Sequence, residues 1–337
     1  MPPLNSQTKL HEGSLQPLTV YDMPLNLLQP TLLFCFFIML SSASTEECHA
    51  KDATSCKPQS DTQHATLNTG VQLPLIALGV YQSTPGVETY NAVKWALELG
   101  YRHIDTAAMY QNEEDVGRAV RDSGIPRSEI FITTKFWPGQ NALARKGSGY
   151  ETAIEKGKES NAKLGLDYID LYLIHAPAWG KERINVWRGL EELVTLGVVK
   201  SIGVSNYGVH HLEEIEEYTT PAVNQIELHP FMLHDDIEAY CREKDIRIEA
   251  YAPLVQATRL DNPTLVQVAA THGKTVAQIL LRWGIDRGYI VLPKSVHKHR
   301  IAENKQLEGW KLDEEEVVLI NGLNEYQGTS WDPTVWD

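Results

Sequence analysis

Residues 101–124 read YRHIDTAAMYQNEEDVGRAVRDSG and contain one complete unit of the fold that we predict. The unit begins with a short run whose apolar centre is Ile104 and which ends in an acid, Asp105. A loop with a tyrosine, Tyr110, comes next, and apolar residues then recur at helical spacing. The stretch therefore predicts a buried strand followed by a helix, with an acid and a tyrosine on the connection between them.

The same alternation of strand and helix continues along the chain from about Leu67. Seven further apolar runs, each followed by a helical pattern, read LPLIALGV, EIFITTKF, YIDLYLIH, VKSIGVSN, AVNQIELH, IRIEAYAPL and GYIVLPKS. Eight such units are what a closed (β/α)8 barrel, the TIM barrel, requires, since its strands face apolar core on both sides. An open doubly wound sheet would need a G-x-G-x-x-G after its first strand, and the sequence has none. We therefore expect an α/β barrel over residues 66–337 as a single domain.

Composition and charge limit the classes of partner. The 337 residues are 42% apolar and 22% charged, which is typical of a globular protein. The net charge of −14 argues against a general nucleic-acid or anionic membrane surface, because the summed field repels phosphate. A phosphate ligand must therefore meet a local basic patch.

Residues 1–65 form an N-terminal extension unlike the rest of the chain. Their centre, residues 32–40, reads LLFCFFIML and is too short to span a bilayer, which takes roughly 20 apolar residues. A signal-peptide core and a disordered extension both fit, and any membrane contact would go through this segment. Cys48 and Cys56 can pair only in an oxidising compartment. The chain has no N-x-S/T sequon with a permitted middle residue, which favours the cytoplasm for the barrel over the secretory pathway.

The carboxyl ends of barrel strands carry the chemistry in this fold. Polar residues stand at or near the predicted ends, namely Asp105, Lys135, His175, Ser205, Asn206, Gln225, His229, Tyr251, Lys294 and Ser295. Taken singly, each has an ordinary explanation, such as a turn cap or a buried histidine. An acid, a lysine and a histidine on three consecutive strands nevertheless converge on one mouth, and buried charges need partners.

These residue types suit the reduction of a carbonyl group. Hydride delivery to the carbonyl carbon leaves an alkoxide, so a proton donor is needed. Tyrosine, with a pKa of about 10, is a weak acid unless a cation stabilises its phenolate. We therefore predict Tyr110 as the general acid and Lys135 as the cation, held by Asp105. His175 is the predicted hydrogen-bond donor that orients the carbonyl oxygen.

Seven motifs in order make the reading more specific: GYRHIDTAAMYQNEE, ITTKFW, LDYIDLYLIHAP, IGVSNY, NQIELHPF, AYAPL and LPKSVHKHRIAENK. They resemble the ordered motifs of the aldo-keto reductases from about Leu67 to Trp336. The resemblance implies an NADPH-dependent aldehyde or ketone reductase with Tyr110, Asp105, Lys135 and His175 as its catalytic residues. The modest length is similar to the compact members, such as the diketogluconate reductases and prostaglandin F synthase.

The resemblance also implies the cofactor contacts. Ser205, Asn206 and Gln225 match positions that bind the carboxamide, and Tyr251 matches the ring that stacks on the nicotinamide. Near the C terminus, Lys294 and Arg300 match positions that read the 2′-phosphate, which favours NADP(H) over NAD. The predicted cofactor set also includes Ser295 and four flanking positions, namely Leu254, Val296, Glu303 and Asn304. The residues 294–300 are the local basic patch that an acidic chain needs for phosphate.

The predicted substrate pocket departs from the family pattern. Ala176 follows the histidine where a tryptophan is usual, Tyr81 stands where another tryptophan is frequent, and Trp137 is retained. We expect a pocket with fewer large side chains in its walls, and a carbonyl substrate that is bulkier or less tightly held. The segment of residues 137–149 is longer than usual and carries Arg145 and Lys146, which suit a lid or an acidic substrate.

Other functions fit the sequence less well. VHH and HKH lack a third ligand at metal spacing, so we expect no metal site. Glu227 lies inside the strand alternation of NQIELH, which favours an ordinary strand position over a glycosidase acid. An alternative to the enzyme is an NADP-binding redox-sensing subunit with little turnover, against which the four intact catalytic residues argue. We expect a monomer that binds a small carbonyl compound and no nucleic acid.

Overall fold

The structure, a computed structural model, describes residues 64–137, 149–178, 180 and 182–336. Residues 1–63 of the predicted extension, with Cys48, Cys56 and the apolar segment, lie outside the described residues. Arg145 and Lys146 of the predicted lid also lie outside them. No helix within the described ranges is long and apolar enough to cross a membrane.

Eight parallel strands form the central sheet in simple sequence order. Two short strands, β1 (His64–Thr66) and β2 (Gln72–Pro74), pair antiparallel as a hairpin before it. The sheet consists of β3 (Leu78–Gly79), β4 (His103–Asp105), β5 (Phe131–Phe136), β6 (Ile169–Ile174), β7 (Val199–Ser205), β8 (Val223–Glu227), β9 (Arg247–Tyr251) and β10 (Ile290–Leu292).

Hydrogen bonds between the first and last strands close the sheet. The amide of Ala77 donates to Val291 O at 3.0 Å, and the amide of Gly79 donates to Pro293 O at 3.0 Å. The (β/α)8 barrel expected from the sequence is therefore confirmed. The run LPLIALGV, interpreted as one strand, is instead divided between β2 and β3. The reason is that Leu73 in the hairpin packs into the interior core of the barrel rather than joining its wall.

Helices follow the strands as the periodicity predicts. Their bounds are α1 (Val87–Glu98), α2 (Glu113–Asp122), α3 (Gly149–Leu164), α4 (Glu182–Thr195), α5 (Val209–Glu213), α6 (Asp235–Glu243), α7 (Pro263–His272), α8 (Val276–Asp286), α9 (Lys298–Lys305) and α10 (Glu314–Asn321). Side chains fix some of the starts. The Asn262 side chain accepts from the amides of Thr264 and Leu265 before α7, and Thr275 forms a capping box with Gln278 before α8.

Alternate residues of each strand enter two different cores. In β6, Tyr172 and Ile174 pack in the larger core with residues of the helices, whereas Leu171 and Leu173 pack in a smaller core together with Leu73 of the hairpin. The hairpin therefore packs into the apolar part of the barrel interior. Because β4, β5, β6 and β8 are buried along their whole length, the polar residues at their ends have fixed surroundings.

Candidate active site

The predicted catalytic residues come from the carboxyl ends of three neighbouring strands. Asp105 ends β4, Lys135 is the second-last residue of β5, and His175 directly follows β6. Tyr110 ends a short 3₁₀ helix, Ala108–Tyr110, on the connection after β4. Gln111 follows with a left-handed φ of 59°, which turns the chain toward α2. The structure brings all four residues together.

Asp105 and Lys135 form a buried ion pair. The Lys135 Nζ donates to Asp105 Oδ1 at 2.7 Å and to the Thr106 carbonyl at 2.9 Å. Lys135 is 0% exposed and Asp105 only 4%. The second carboxylate oxygen of Asp105 accepts from Gln225 Nε2 at 2.9 Å. These two hydrogen bonds hold the lysine beneath the tyrosine.

Tyr110 lies directly over this pair. The Lys135 Nζ is 5.1 Å from the centroid of its ring. Burial, and then the charge of Asp105, raise the pKa of Tyr110 well above its usual value. This direction differs from the lowered pKa that a cation alone would produce. In the free protein desolvation dominates, so the hydroxyl keeps its proton and is available as a donor.

His175 lies beside the tyrosine and is electrically neutral. Its ring centroid is 5.7 Å from that of Tyr110 and 5.4 Å from that of Trp137. Burial, and then the charge of Lys135, lower the pKa of His175 well below its usual value. A neutral imidazole donates a hydrogen bond from one nitrogen without being an effective acid.

The residues predicted to bind the carboxamide lie next to His175 and contact one another. Ser205 Oγ donates to the Gln225 carbonyl at 2.8 Å, and Asn206 Nδ2 donates to the His175 carbonyl at 2.9 Å. The Tyr251 hydroxyl donates to Asn206 Oδ1 at 2.9 Å. Asn206 has a left-handed φ of 62°, a conformation that asparagine tolerates better than most residues. Hydrogen bonds between side chains, and one to the Gln225 backbone, therefore connect these four residues.

The predicted phosphate-binding residues lie on the loop after β10 and the start of α9. Lys294 and Arg300 are exposed and form no ion pair with a carboxylate in the described part of the chain. Ser295 is buried, and its hydroxyl accepts from the His297 amide at 3.1 Å. The flanking positions behave differently. Leu254 and Val296 are half-buried against the core, Glu303 accepts from the Thr275 hydroxyl at 2.8 Å, and Asn304 is buried.

Aromatic rings surround the mouth. The Tyr81 ring, half exposed, lies 5.0 Å from that of Tyr110. Trp331, near the C terminus, lies 5.6 Å from Trp137. Sequence reasoning did not identify Trp331, since nothing local marks it. Ala176 is fully buried directly after His175, and its predicted role in the pocket stays a prediction.

Glu227 also has a role that the sequence did not indicate. Its Oε1 accepts from the Thr329 amide at 2.5 Å and lies 3.0 Å from His229 Nε2, and its Oε2 accepts from the Ser330 hydroxyl at 3.2 Å. Burial alone would raise the pKa of Glu227, but the hydrogen bonds from His229 and Thr329 outweigh it and lower the pKa. This carboxylate therefore fixes the C-terminal segment that carries Trp331.

The described residues contain no group of three or more His, Cys, Asp or Glu side chains that could hold a metal ion. The barrel with a buried acid–lysine pair, a tyrosine and a neutral histidine at its mouth has the architecture of an oxidoreductase that acts on small carbonyl compounds. Comparison with known proteins agrees with this class.

Residues 76–325 match the Aldo/keto reductase family, and the chain belongs to that family. It is 42% identical over 269 residues to the glyoxal reductase of Bacillus subtilis, an alignment that covers 79% of this chain and 95% of the relative. It is 43% identical over 274 residues to the 9,11-endoperoxide prostaglandin H2 reductase of Trypanosoma cruzi, covering 80% and 94%. The structure of a Bombyx mori aldo-keto reductase in complex with NADP superposes with a TM-score of 0.73 at 37% identity, covering 80% and 95%.

Proposed function

We propose that this protein is an NADPH-dependent reductase of aldehydes or ketones, with Tyr110 as the general acid. The observation that carries the proposal is the buried Asp105–Lys135 ion pair, whose ammonium lies 5.1 Å from the Tyr110 ring centroid. A buried cation beside this ring stabilises the phenolate that proton donation leaves behind.

The residues fit the cofactor in three respects. None of the described residues donates to Gln225 Oε1, so this oxygen is available to the amide hydrogens of a carboxamide. Lys294 and Arg300 are exposed cations without a described ion-pair partner, so their charges are available to a 2′-phosphate. Tyr251 offers an aromatic face next to Asn206. A relative of this chain forms a complex with NADP, which supports the same choice.

NADPH, when bound, supplies the hydride to the carbonyl carbon. The protein supplies the proton and the orientation. The neutral His175 donates a hydrogen bond to the carbonyl oxygen and fixes its direction. Tyr110 donates its hydroxyl proton to that oxygen as negative charge develops, and Lys135 stabilises the phenolate. Asp105 keeps the ammonium in place, and the aromatic rings of Trp137 and Trp331 exclude water.

His175 is the weaker candidate for the acid. Its pKa is lowered, so the ring is neutral at neutral pH and its remaining proton is far more difficult to remove than that of a tyrosine. Tyr110 keeps its proton because its pKa is raised. Lys135, the cation that stabilises the phenolate after the proton has left, is already in place. The two pKa shifts therefore favour Tyr110 as the proton donor and His175 as the neutral group that orients the carbonyl oxygen.

The test uses the full chain and the decay of NADPH absorbance with a panel of aldehydes that begins with glyoxal. We expect oxidation of NADPH that depends on the aldehyde and that falls at least about 1000-fold in Tyr110→Phe. Tyr240→Phe, on α6, is the matched control and should keep the activity. NADPH binding without oxidation would contradict the proposal and favour a cofactor-sensing subunit. Equal activity in Tyr110→Phe would reject the assignment of the acid.

A further inference from the structure

A second buried carboxyl group lies in the barrel interior next to the catalytic ion pair. Glu249 lies in the middle of β9, two residues before Tyr251, and is 0% exposed. Its Oε2 accepts from Gln225 Nε2 at 2.6 Å. The same nitrogen donates to Asp105 Oδ2 at 2.9 Å. One amide group therefore bridges two carboxyl groups.

This bridge determines the orientation of the Gln225 side chain. An amide nitrogen has two hydrogens, and the two carboxyl oxygens take both. The amide oxygen cannot exchange places with the nitrogen, because it would then face the Asp105 carboxylate, an acceptor, without a donor between them. Glu249 and Asp105 together therefore fix Gln225 with its amide oxygen directed away from them.

The charges around Glu249 do not balance if its carboxyl is ionised. Within the described residues, the only cation facing it is Lys135 on β5, which already pairs with Asp105 on β4. His103, also on β4, has its Nε2 3.8 Å from Glu249 Oε1, beyond hydrogen-bonding distance. On the strands that flank β9, Gln225 of β8 is uncharged and Ile290 of β10 is apolar.

His103 cannot serve as the missing cation. Its Nδ1 lies 3.4 Å from the Pro74 carbonyl and its Nε2 2.9 Å from the Thr133 hydroxyl, an arrangement that suits a neutral ring. Burial lowers the pKa of His103 to about 3. Glu249 Oε1 is buried and has no hydrogen-bond partner in the part of the chain that the structure describes. Burial, and then the charge of Asp105, raise the pKa of Glu249, so the carboxyl holds its proton at neutral pH.

We propose that Glu249 is a positioning residue of the cofactor site: it fixes the Gln225 amide, and its reversible ionisation favours the oxidised over the reduced nicotinamide. The inference rests on the proposed function, since it requires that the nicotinamide binds beside Gln225. The oxidised ring carries a positive charge and the reduced ring carries none. A carboxylate at Glu249 therefore attracts the oxidised form alone, and the proton that it loses passes to solvent.

The binding of the two forms measures this effect without turnover. Dissociation constants of NADP+ and NADPH are determined for the full chain by tryptophan fluorescence from about pH 6 to about pH 10. The phosphates are the same in both forms, so their ionisation cancels in the ratio of the constants. We expect binding of NADP+ to strengthen relative to NADPH by about tenfold as the pH rises, the effect of unit charges about 10 Å apart at a dielectric constant of about 20.

Glu249→Gln keeps the shape of the side chain but cannot ionise, so the ratio should become independent of pH. The matched control is Glu113→Gln, which removes another buried carboxyl with a raised pKa, bonded to the Thr134 hydroxyl at 2.7 Å. This variant should follow the wild type. A purely structural role of Glu249 would change both dissociation constants together and leave the pH dependence of their ratio in place.

Infrared difference spectra of the wild type give a second readout that needs no variant. Addition of NADP+ at neutral pH should reduce the band of a protonated carboxyl, and addition of NADPH should not, because binding and ionisation are linked reciprocally. The inference about Glu249 would be overturned if the ratio of the two dissociation constants varied with pH in Glu249→Gln as in the wild type, or if NADP+ left the carboxyl band unchanged. Neither result would contradict the proposed function. Failure of both nucleotides to bind would overturn the proposed function as well.

Discussion

Removal of the Lys135 charge should destabilise the protein and stop catalysis, and the two effects can be separated. In Lys135→Met, Asp105 keeps a negative charge in a site where it is 4% exposed and retains only Gln225 as a side-chain donor. Breaking a buried ion pair by removing one partner typically costs about 3–5 kcal/mol. For a barrel of this size the unfolding midpoint should fall by about 10 °C.

The double variant Asp105→Asn/Lys135→Met removes both charges. Because no uncompensated charge remains, we expect it to be only about 1–2 kcal/mol less stable than the wild type, which corresponds to a coupling energy of at least about 2 kcal/mol. Urea unfolding followed by circular dichroism measures the stabilities, and NADPH decay with an aldehyde measures turnover. Turnover should stay lost in the double variant, because Tyr110 has no cation nearby.

Two results would refute this reasoning. If the double variant were as unstable as Lys135→Met, the loss of stability would come from packing of the lysine rather than from the charge left on Asp105. If the double variant recovered both stability and turnover, the ion pair would be a structural feature and would not assist Tyr110. Asp170→Asn, which weakens a different partly buried pair with Arg127, should lower stability without selective loss of turnover.

Three further predictions follow from other parts of the structure. Because burial lowers the pKa of His103 to about 3, the unfolded chain binds a proton at this residue below pH about 6.5 that the folded protein excludes. His103 alone should therefore lower stability by about 2 kcal/mol between neutral pH and pH about 5, in addition to the losses from other buried histidines, and His103→Gln should lose about 2 kcal/mol less than the wild type in urea unfolding at these two pH values. Trp331→Ala should raise KM for aldehydes several-fold, because it removes the ring beside Trp137, while the NADPH dissociation constant stays the same; an unchanged KM would exclude Trp331 from the pocket. Gly117→Ala should cost about 3 kcal/mol or more in urea unfolding, since its Cβ would lie 1.7 Å from the Leu164 carbonyl oxygen, and a neutral effect would mean that α2 and α3 can separate without cost.

The sequence was sufficient for the fold and for the prediction that four particular side chains meet at one rim of the barrel. Period-2 and period-3.6 patterns alternate along the chain, and a closed parallel barrel places the ends of all its strands at one rim whatever its detailed packing. Asp105, Lys135 and His175 could therefore be assigned to one site before any distance was known. The first strand was the exception. LPLIALGV has the pattern of one strand, and only the packing of Leu73 in the barrel interior divides it.

Tertiary structure alone decided the contacts across the barrel. Asp105 and Gln225 are 120 residues apart, and Glu227 and Thr329 are 102 residues apart. Such contacts depend on how the strands and the C-terminal segment pack against one another, and no local sequence pattern carries that information. The direction of each pKa shift depends on the same closure, because desolvation is set by everything that surrounds a group. The sequence thus supplied the chemical groups and their common rim, and the folded interior decided which of them carry charge.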